Sequence, residues 1–432
     1  MSMTQQILGN HIVENGARKS RIPEIGEIID VEIDITMVHE QLGGRIAPEY
    51  AKLDIDYVKH PDRIAYLLDH WVPSPSVPAA NMHIRANKFA KKYKFEHVLG
   101  ENKGICHTVL PEQGFIYPGM VALGSDSHST TYGAYNCFST GVGATDICMI
   151  FATGNLWLKV PEPVNFSIVN SFHKGVYAKD LALHLLQKHG TEKFIYKSLE
   201  YTGSGLVNLT MESRHTLANM CTEMGGKNAI FEFDEITQEW FSKNSHFQAR
   251  YTKKLQPVTP DPSAEYTLME EIDLNLLQPL IAKPFSPDNV VEVNECIGMD
   301  ITQGFIGSCT NGSLEDLRIA AKIIQGHTIH KNTRCVVIPA STETYLQAVK
   351  EGLIEIFLKA GCMIGPSTCG PCFGGHMGIL GDEDVCISTT NRNYRGRMGS
   401  YKSQVFLASP ATVAASVIHG KITSPLKYAE VL

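Results

Sequence analysis

Between residues 301 and 388 short apolar runs alternate with amphipathic stretches, and that alternation leaves few architectures open to the chain. Residues 301–306, 335–338 and 385–388 read as strands, and residues 313–324 and 342–351 as helices. Ser313 and Asp316 stand in a capping-box arrangement at the start of the first helix. Strands joined through helices run parallel, so a doubly wound α/β sheet is expected. Cys309 then lies at a strand end just ahead of a helix N-terminus, where the dipole favours a thiolate.

Cys309 sits in the turn Gly307-Ser308-Cys309-Thr310-Asn311-Gly312, and a second cysteine turn follows as Thr368-Cys369-Gly370-Pro371-Cys372-Phe373-Gly374-Gly375-His376. Two cysteines in one tight turn and a third in another make a three-thiolate cup. Three thiolates hold a cubane iron–sulfur cluster at three corners and leave the fourth iron without a protein ligand. An iron open in that way acts as a Lewis acid on a hydroxyl and a carboxylate. Spacing alone leaves a redox pair or half of a zinc site equally open. The chain lacks the second cysteine pair of a zinc ribbon and any thioredoxin-like context, which favours the cluster.

A chain of 432 residues exceeds one ordinary core, and its proline punctuation divides it into units 1–162, 163–284 and 285–432. A net charge of −7 provides no basic excess for phosphates, so no nucleic-acid partner is expected. The first sixteen residues have no apolar signal core, and no run has the ~18 apolar residues a membrane helix needs. Eleven cysteines, an odd number without a secretory signal, point to reduced thiols in the cytoplasm.

Elsewhere, residues 22–36 alternate apolar and acidic positions and read as a strand or hairpin. Residues 62–69 pass from helix to strand, and Pro73, Pro75 and Pro78 force a loop before a helix at 81–93. The glycine-dense stretch 100–154, carrying polar side chains, reads as a site wall. A smaller α/β unit follows, with a helix at 178–189 and the stretch 211–226, while residues 239–262 read as an excursion or exposed segment. Asp69-His70 and Asp126-Ser127-His128 place carboxylates beside imidazoles, as proton transfer requires, and His107 is a further candidate. Neighbouring residues of one strand point to opposite faces, so each pair alone reads first as a solvated or capped one. Asn391-Arg392-Asn393-Tyr394-Arg395-Gly396-Arg397 suits either a carboxylate clamp or an exposed basic turn.

Taken together, these motifs resemble the aconitase superfamily over nearly the whole chain, most of all its two-subunit dehydratases. Asp69-His70, Gly104-Ile105-Cys106-His107, Gly124-Ser125-Asp126-Ser127-His128-Ser129 and Phe151-Ala152-Thr153-Gly154 carry the resemblance, with both cysteine turns and Asn391-Arg392-Asn393. It implies three α/β domains with largely parallel sheets around one [4Fe-4S] cluster per chain, held by Cys309, Cys369 and Cys372. It implies a hydro-lyase in which Asp69 and His70 protonate a departing hydroxyl, and Asp126 and His128 organise the water. A histidine matching His107 is paired with a glutamate in the family. Leu217-Ala218-Asn219-Met220-Cys221-Thr222-Glu223 resembles that glutamate's motif, making Glu223 the candidate and Asn219 a neighbour of the cluster at the substrate site. Arg392 and Arg397 match the arginines that hold substrate carboxylates, whereas Arg395 falls where the family varies.

Residues 39–45, His39-Glu40-Gln41-Leu42-Gly43-Gly44-Arg45, depart from the family's usual first-domain substrate loop. The swivelling domain that supplies a serine base is expected on a separate small subunit, in a heterodimer or heterotetramer. The implied substrate is a malate-type di- or tricarboxylate, isopropylmalate foremost, with homoaconitate, citramalate and dimethylmalate as rivals. A thiol redox protein and a cluster-bearing regulator are the alternatives from other classes.

Overall fold

The alternation in the C-terminal third folds as its pattern requires. In the computed structural model, which describes residues 1–251 and 255–432, it forms a seven-stranded sheet. The order is Val290–Glu292, Leu280–Ala282, Gln404–Ala408, Val385–Ser388, Gln303–Ile306, Arg334–Val337 and Met363–Ile364. The last five run parallel, and the first two form an antiparallel edge. Gln303–Ile306 is buried at every position, as a parallel strand covered on both faces must be. Ser313 caps the helix Leu314–Ile324 through the reciprocal bonds with Asp316 that the sequence suggests, an arrangement worth about 1 kcal/mol. Leu280–Ala282, just ahead of the expected boundary at 284, already belongs to this sheet.

The first part of the chain repeats this logic. Five parallel strands stand in the order His97–Leu99, Ile64–Leu67, Ile35–His39, Val121–Gly124 and Phe138–Gly141. A third parallel sheet holds Asn228–Phe231, Ser198–Thr202, Pro163–Val169 and Leu268–Asp273. One hydrophobic cluster runs through residues of all three sheets, including Met37, Phe166 and Phe305.

In the first sheet, chain order reverses between Ile35–His39 and Val121–Gly124; in the last, between Gln303–Ile306 and Val385–Ser388. Loops leaving the carboxyl ends of such strands diverge and open a crevice where ligands bind. His39 ends a strand of one sheet and Asp69 and Asp126 follow its neighbours, while Cys309, Cys369 and Asn391 follow strands of the other.

Several local expectations are corrected. Residues 22–36 are no hairpin: Ile28–Glu32 pairs antiparallel with Asn155–Lys159, while Ile35–His39 is the centre of the five-stranded sheet. Asp34, whose carboxylate accepts the Val121 amide at 2.8 Å, lies at the step between them. Pro78 lies in the first turn of the helix Val77–Lys92, which Ser76 caps, because a first-turn proline loses no helical hydrogen bond. Residues 239–250 are not an excursion; they fall in the helices Glu235–Lys243 and Ser245–Arg250, which bury Phe241 and Phe247. Residues 252–254 of that stretch lie outside the described residues. Among the described residues no helix is long and apolar enough to cross a membrane.

Candidate active site

The three cysteines come together, each delivered by a strand-end loop whose backbone only a few residue types accept. Gly307 has φ +156°, and a Cβ there would sit 2.8 Å from the Ile338 carbonyl oxygen. Ser308 follows in the left-handed region at φ 74°, an unusual conformation that turns Cys309 inward. Cys309, Cys369 and Cys372 are all buried.

Side-chain donors face the sulfurs. The Asn219 and Asn391 amides point at Cys309 Sγ from 3.3 and 3.5 Å, and the Thr390 hydroxyl lies 2.8 Å from Cys372 Sγ. Burial and the other two sulfurs push the Cys309 thiol well above its ordinary range; burial pushes Cys369 up to about 12, against the pull of His70. The expected help from a helix dipole is therefore outweighed, since the helix carrying Cys309, Ser308–Asn311, is only four residues long.

This donor set suits a metal–sulfur group. Amide donors favour sulfur that carries negative charge, and a bound cation is what lets buried thiols ionise. A single tetrahedral zinc ion, with Zn–S near 2.3 Å, would bring three sulfurs within about 3.8 Å of one another. Among the described residues, the set whose ligand atoms all lie within 4.8 Å is His39, Glu40, Asp69 and His70, and it includes no cysteine. The three sulfurs are therefore not all within 4.8 Å of one another, wider than one zinc ion would draw them.

The His39–Glu40–Asp69–His70 set is a hydrogen-bonded knot. Asp69 Oδ1 holds His70 Nδ1 at 2.7 Å, while Asp69 Oδ2 accepts the Cys106 amide at 2.9 Å. The two neighbours thus meet rather than diverge, because they lie just beyond the strand Ile64–Leu67. Glu40 is fully buried, and its carboxylate accepts the amides of Asp69, His70 and Trp71 at 3.0, 2.8 and 2.7 Å. His39 stacks on His70, ring centroids 4.5 Å apart, and burial pulls its pKa down to about 4. Burial opposes charge on His70 too, yet the Cys369 sulfur and Asp69 raise it well above the usual range.

His70 Nε2 lies 3.8 Å from Asp126, which joins the remaining imidazoles. Asp126 Oδ1 is 2.8 Å from His107 Nε2 and 3.5 Å from His128 Nδ1, and also accepts the His128 amide. Burial opposes its charge, but the two histidines hold it far below the usual carboxylate range. Glu223 pairs with His128, at 2.7 Å, and not with His107 as the resemblance implied. It occupies the short turn Cys221–Met224 after the helix Met211–Met220, which places its carboxylate against His128. His128 and Arg392 keep it below the usual range despite burial.

Arg392 Nε donates to Glu223 at 2.9 Å and one Nη to Ser127 at 3.2 Å. Arg397 reaches 3.9 Å from Cys372 Sγ and has a buried Nε without a partner. Arg395 instead covers the Phe285 ring, 3.7 Å from its centroid. Asn219 is fully buried and spent on Cys309, Thr131, Thr310 and Asn391, so it sits behind the sulfurs and offers nothing to a substrate. A separate cavity of about 480 Å³ touches Cys309 and His215 but none of the carboxylate–imidazole pairs. Sequence reasoning missed His39 and Glu40 as parts of the site; their one signal was the local departure at residues 39–45.

Residues 58–300 and 294–420 match the family model described as "Aconitase family (aconitate hydratase)". The chain belongs to the aconitase family. Similar full-length relatives include the "3-isopropylmalate dehydratase large subunit 1" of Methanopyrus kandleri, 44% identical over 405 residues, 94% of this chain and 96% of the relative. The "3-isopropylmalate dehydratase large subunit" of a Sulfurihydrogenibium species is 43% identical, covering 100% of this chain and 98% of its own. That of Aquifex aeolicus is 43% identical over 98% of this chain and 97% of its own. Membership of the aconitase family implies an iron–sulfur cluster, and the sulfur cup is where this aconitase-family chain has the donors for one.

Proposed function

We propose that the chain is the large subunit of an iron–sulfur hydro-lyase that moves a hydroxyl between adjacent carbons of 3-isopropylmalate by dehydration and rehydration. The observation that carries this reading is the position of His70, bonded to Asp69 through Nδ1, with Nε2 3.8 Å from Asp126 and the ring close enough to Cys369 for the sulfur to raise its pKa. A proton donor thereby stands beside the sulfur cup. Cys309, Cys369 and Cys372 would hold one [4Fe-4S] cluster, as the donor set supports. When bound, the cluster supplies Lewis acidity toward the substrate hydroxyl and carboxylate.

The chain's own residues do the rest. His70, kept charged by Asp69, gives its proton to the departing hydroxyl, and Glu40 and His39 hold the ring in place. Asp126, with His107 and His128, accepts hydrogen bonds from the water released and presents it again for rehydration. Arg392, oriented by Glu223, and Arg397, with its free Nε, grip the substrate carboxylates in forked hydrogen bonds. Among the described residues, none matches the serine base that the family places opposite the proton on the neighbouring carbon. That base is proposed to arrive with a small subunit, which would also close the cleft over the substrate and sense its alkyl group.

Two measurements test this reading. Anaerobically reconstituted protein should contain about four iron and four sulfide per chain. Mixed with small subunits, it should form the unsaturated acid from 3-isopropylmalate, seen by ultraviolet absorbance, faster than from homologous hydroxy acids. Colourless protein holding zinc, or full activity of the chain alone, refutes it.

A further inference from the structure

Behind the sulfur cup lies a cation that the chemistry above does not use. Lys179, in the first turn of the helix Ala178–His189, is fully buried. Its Nζ donates to the carbonyls of Thr389 and Thr390 at 2.9 and 2.7 Å and approaches Asn311 Oδ1 at 3.4 Å. None of the described ion pairs includes it. Each contact belongs to a loop of the cup: Asn311 follows Cys309, and Thr390, Asn391 bond to Cys372 and Cys309.

A buried ammonium without a paired carboxylate is costly, and carbonyl dipoles offset only part of that cost. Burial pulls the Lys179 ammonium down to about 8, against the negative charge of Asp316 and then of the Cys372 and Cys309 sulfurs. Asp316 is bonded to Ser313 and Asn311 and meets Lys179 through the Asn311 side chain, so the sulfurs share with it in balancing the ammonium. We propose that Lys179 is a positioning residue for the cup, a built-in counter-charge that holds the Cys309 and Thr390 loops together and steadies the charge of a bound cluster. This inference rests on the cluster reading.

A mere hydrogen-bonding peg differs from a counter-charge in what replaces it. K179R keeps the charge, K179Q keeps donors without charge, and K179M keeps neither. On reconstituted full-length chain, the reduction midpoint of the cluster is followed by electron paramagnetic resonance, and iron loss in air by chelator absorbance. K179R should match the parent. K179Q and K179M should both become harder to reduce, because an added electron loses its nearby positive charge, and should lose iron about tenfold faster. If K179M does not fold, as circular dichroism would reveal, K179Q decides. A loaded K179Q with the parent's midpoint and iron-loss rate overturns the counter-charge and leaves the cluster reading standing. A parent chain that takes up no iron or sulfide overturns both.

Discussion

Glu40 is where the structure makes its sharpest energetic demand. Its carboxylate, fully buried, accepts three backbone amides at 2.7–3.0 Å, two on Oε1 and one on Oε2. Burial and Asp69 both raise its pKa, which favours the neutral acid. Geometry argues the other way, because a proton on Oε2 would face the Asp69 amide, itself a donor. The ionised form satisfies all three amides. Glu40→Gln keeps the two bonds on one oxygen and turns an NH₂ against the Asp69 amide. One charge-assisted bond is lost and a buried donor orphaned, together about 2–4 kcal/mol. The Asp69–His70 turn shifts as a result, and a misplaced proton donor costs about 100-fold in kcat. Thermal unfolding and steady-state turnover of the reconstituted two-subunit enzyme check both. Unchanged melting and turnover in Glu40→Gln would mean that Glu40 is the neutral acid and that charge has no part in the clamp.

Cys372→Ser should reduce iron and sulfide after reconstitution to a small fraction of the parent's content, with the fold kept by circular dichroism; full loading would remove Cys372 from the ligand set. Arg392→Lys, which loses the fork shared with Glu223 and Ser127, should raise KM by about tenfold or more while leaving iron content unchanged. Glu112, pushed up to about 8 by burial, keeps its proton in the fold while the unfolded chain, titrating at about 4.3, loses it. Stability tied to Glu112 is therefore present at pH 4 and lost as pH rises toward 8. The melting temperature of Glu112→Gln relative to the parent should rise across that window, and a difference independent of pH would contradict it.

What the sequence revealed follows the range of each signal. The Ser313–Asp316 box is local, and the structure places it as read. The partner of His107 was misassigned because pairing across a crevice leaves no periodicity: His128 and Glu223 are 95 positions apart, and His107, in the helix Cys106–Glu112, meets Asp126 at the cap of the turn Ser127–Tyr135. Residues 239–250 looked polar because only Phe241 and Phe247 are buried along that part of two short helices. Glu40 was legible only as an oddity, since its role depends on three amides of a segment about 30 residues away.

Thr368 Oγ1 donates to the Asp69 carbonyl across 299 positions of chain, and the Cys369 amide points at the same oxygen. The acid turn and the cysteine turn therefore brace each other, although the ribosome makes one long before the other. Asp69 and Cys309 are synthesised before Cys369, Cys372 and Asn391 have been translated, so a shorter growing fragment has no complete cup. A cluster held by all three cysteines would therefore be loaded only after synthesis has passed Cys372.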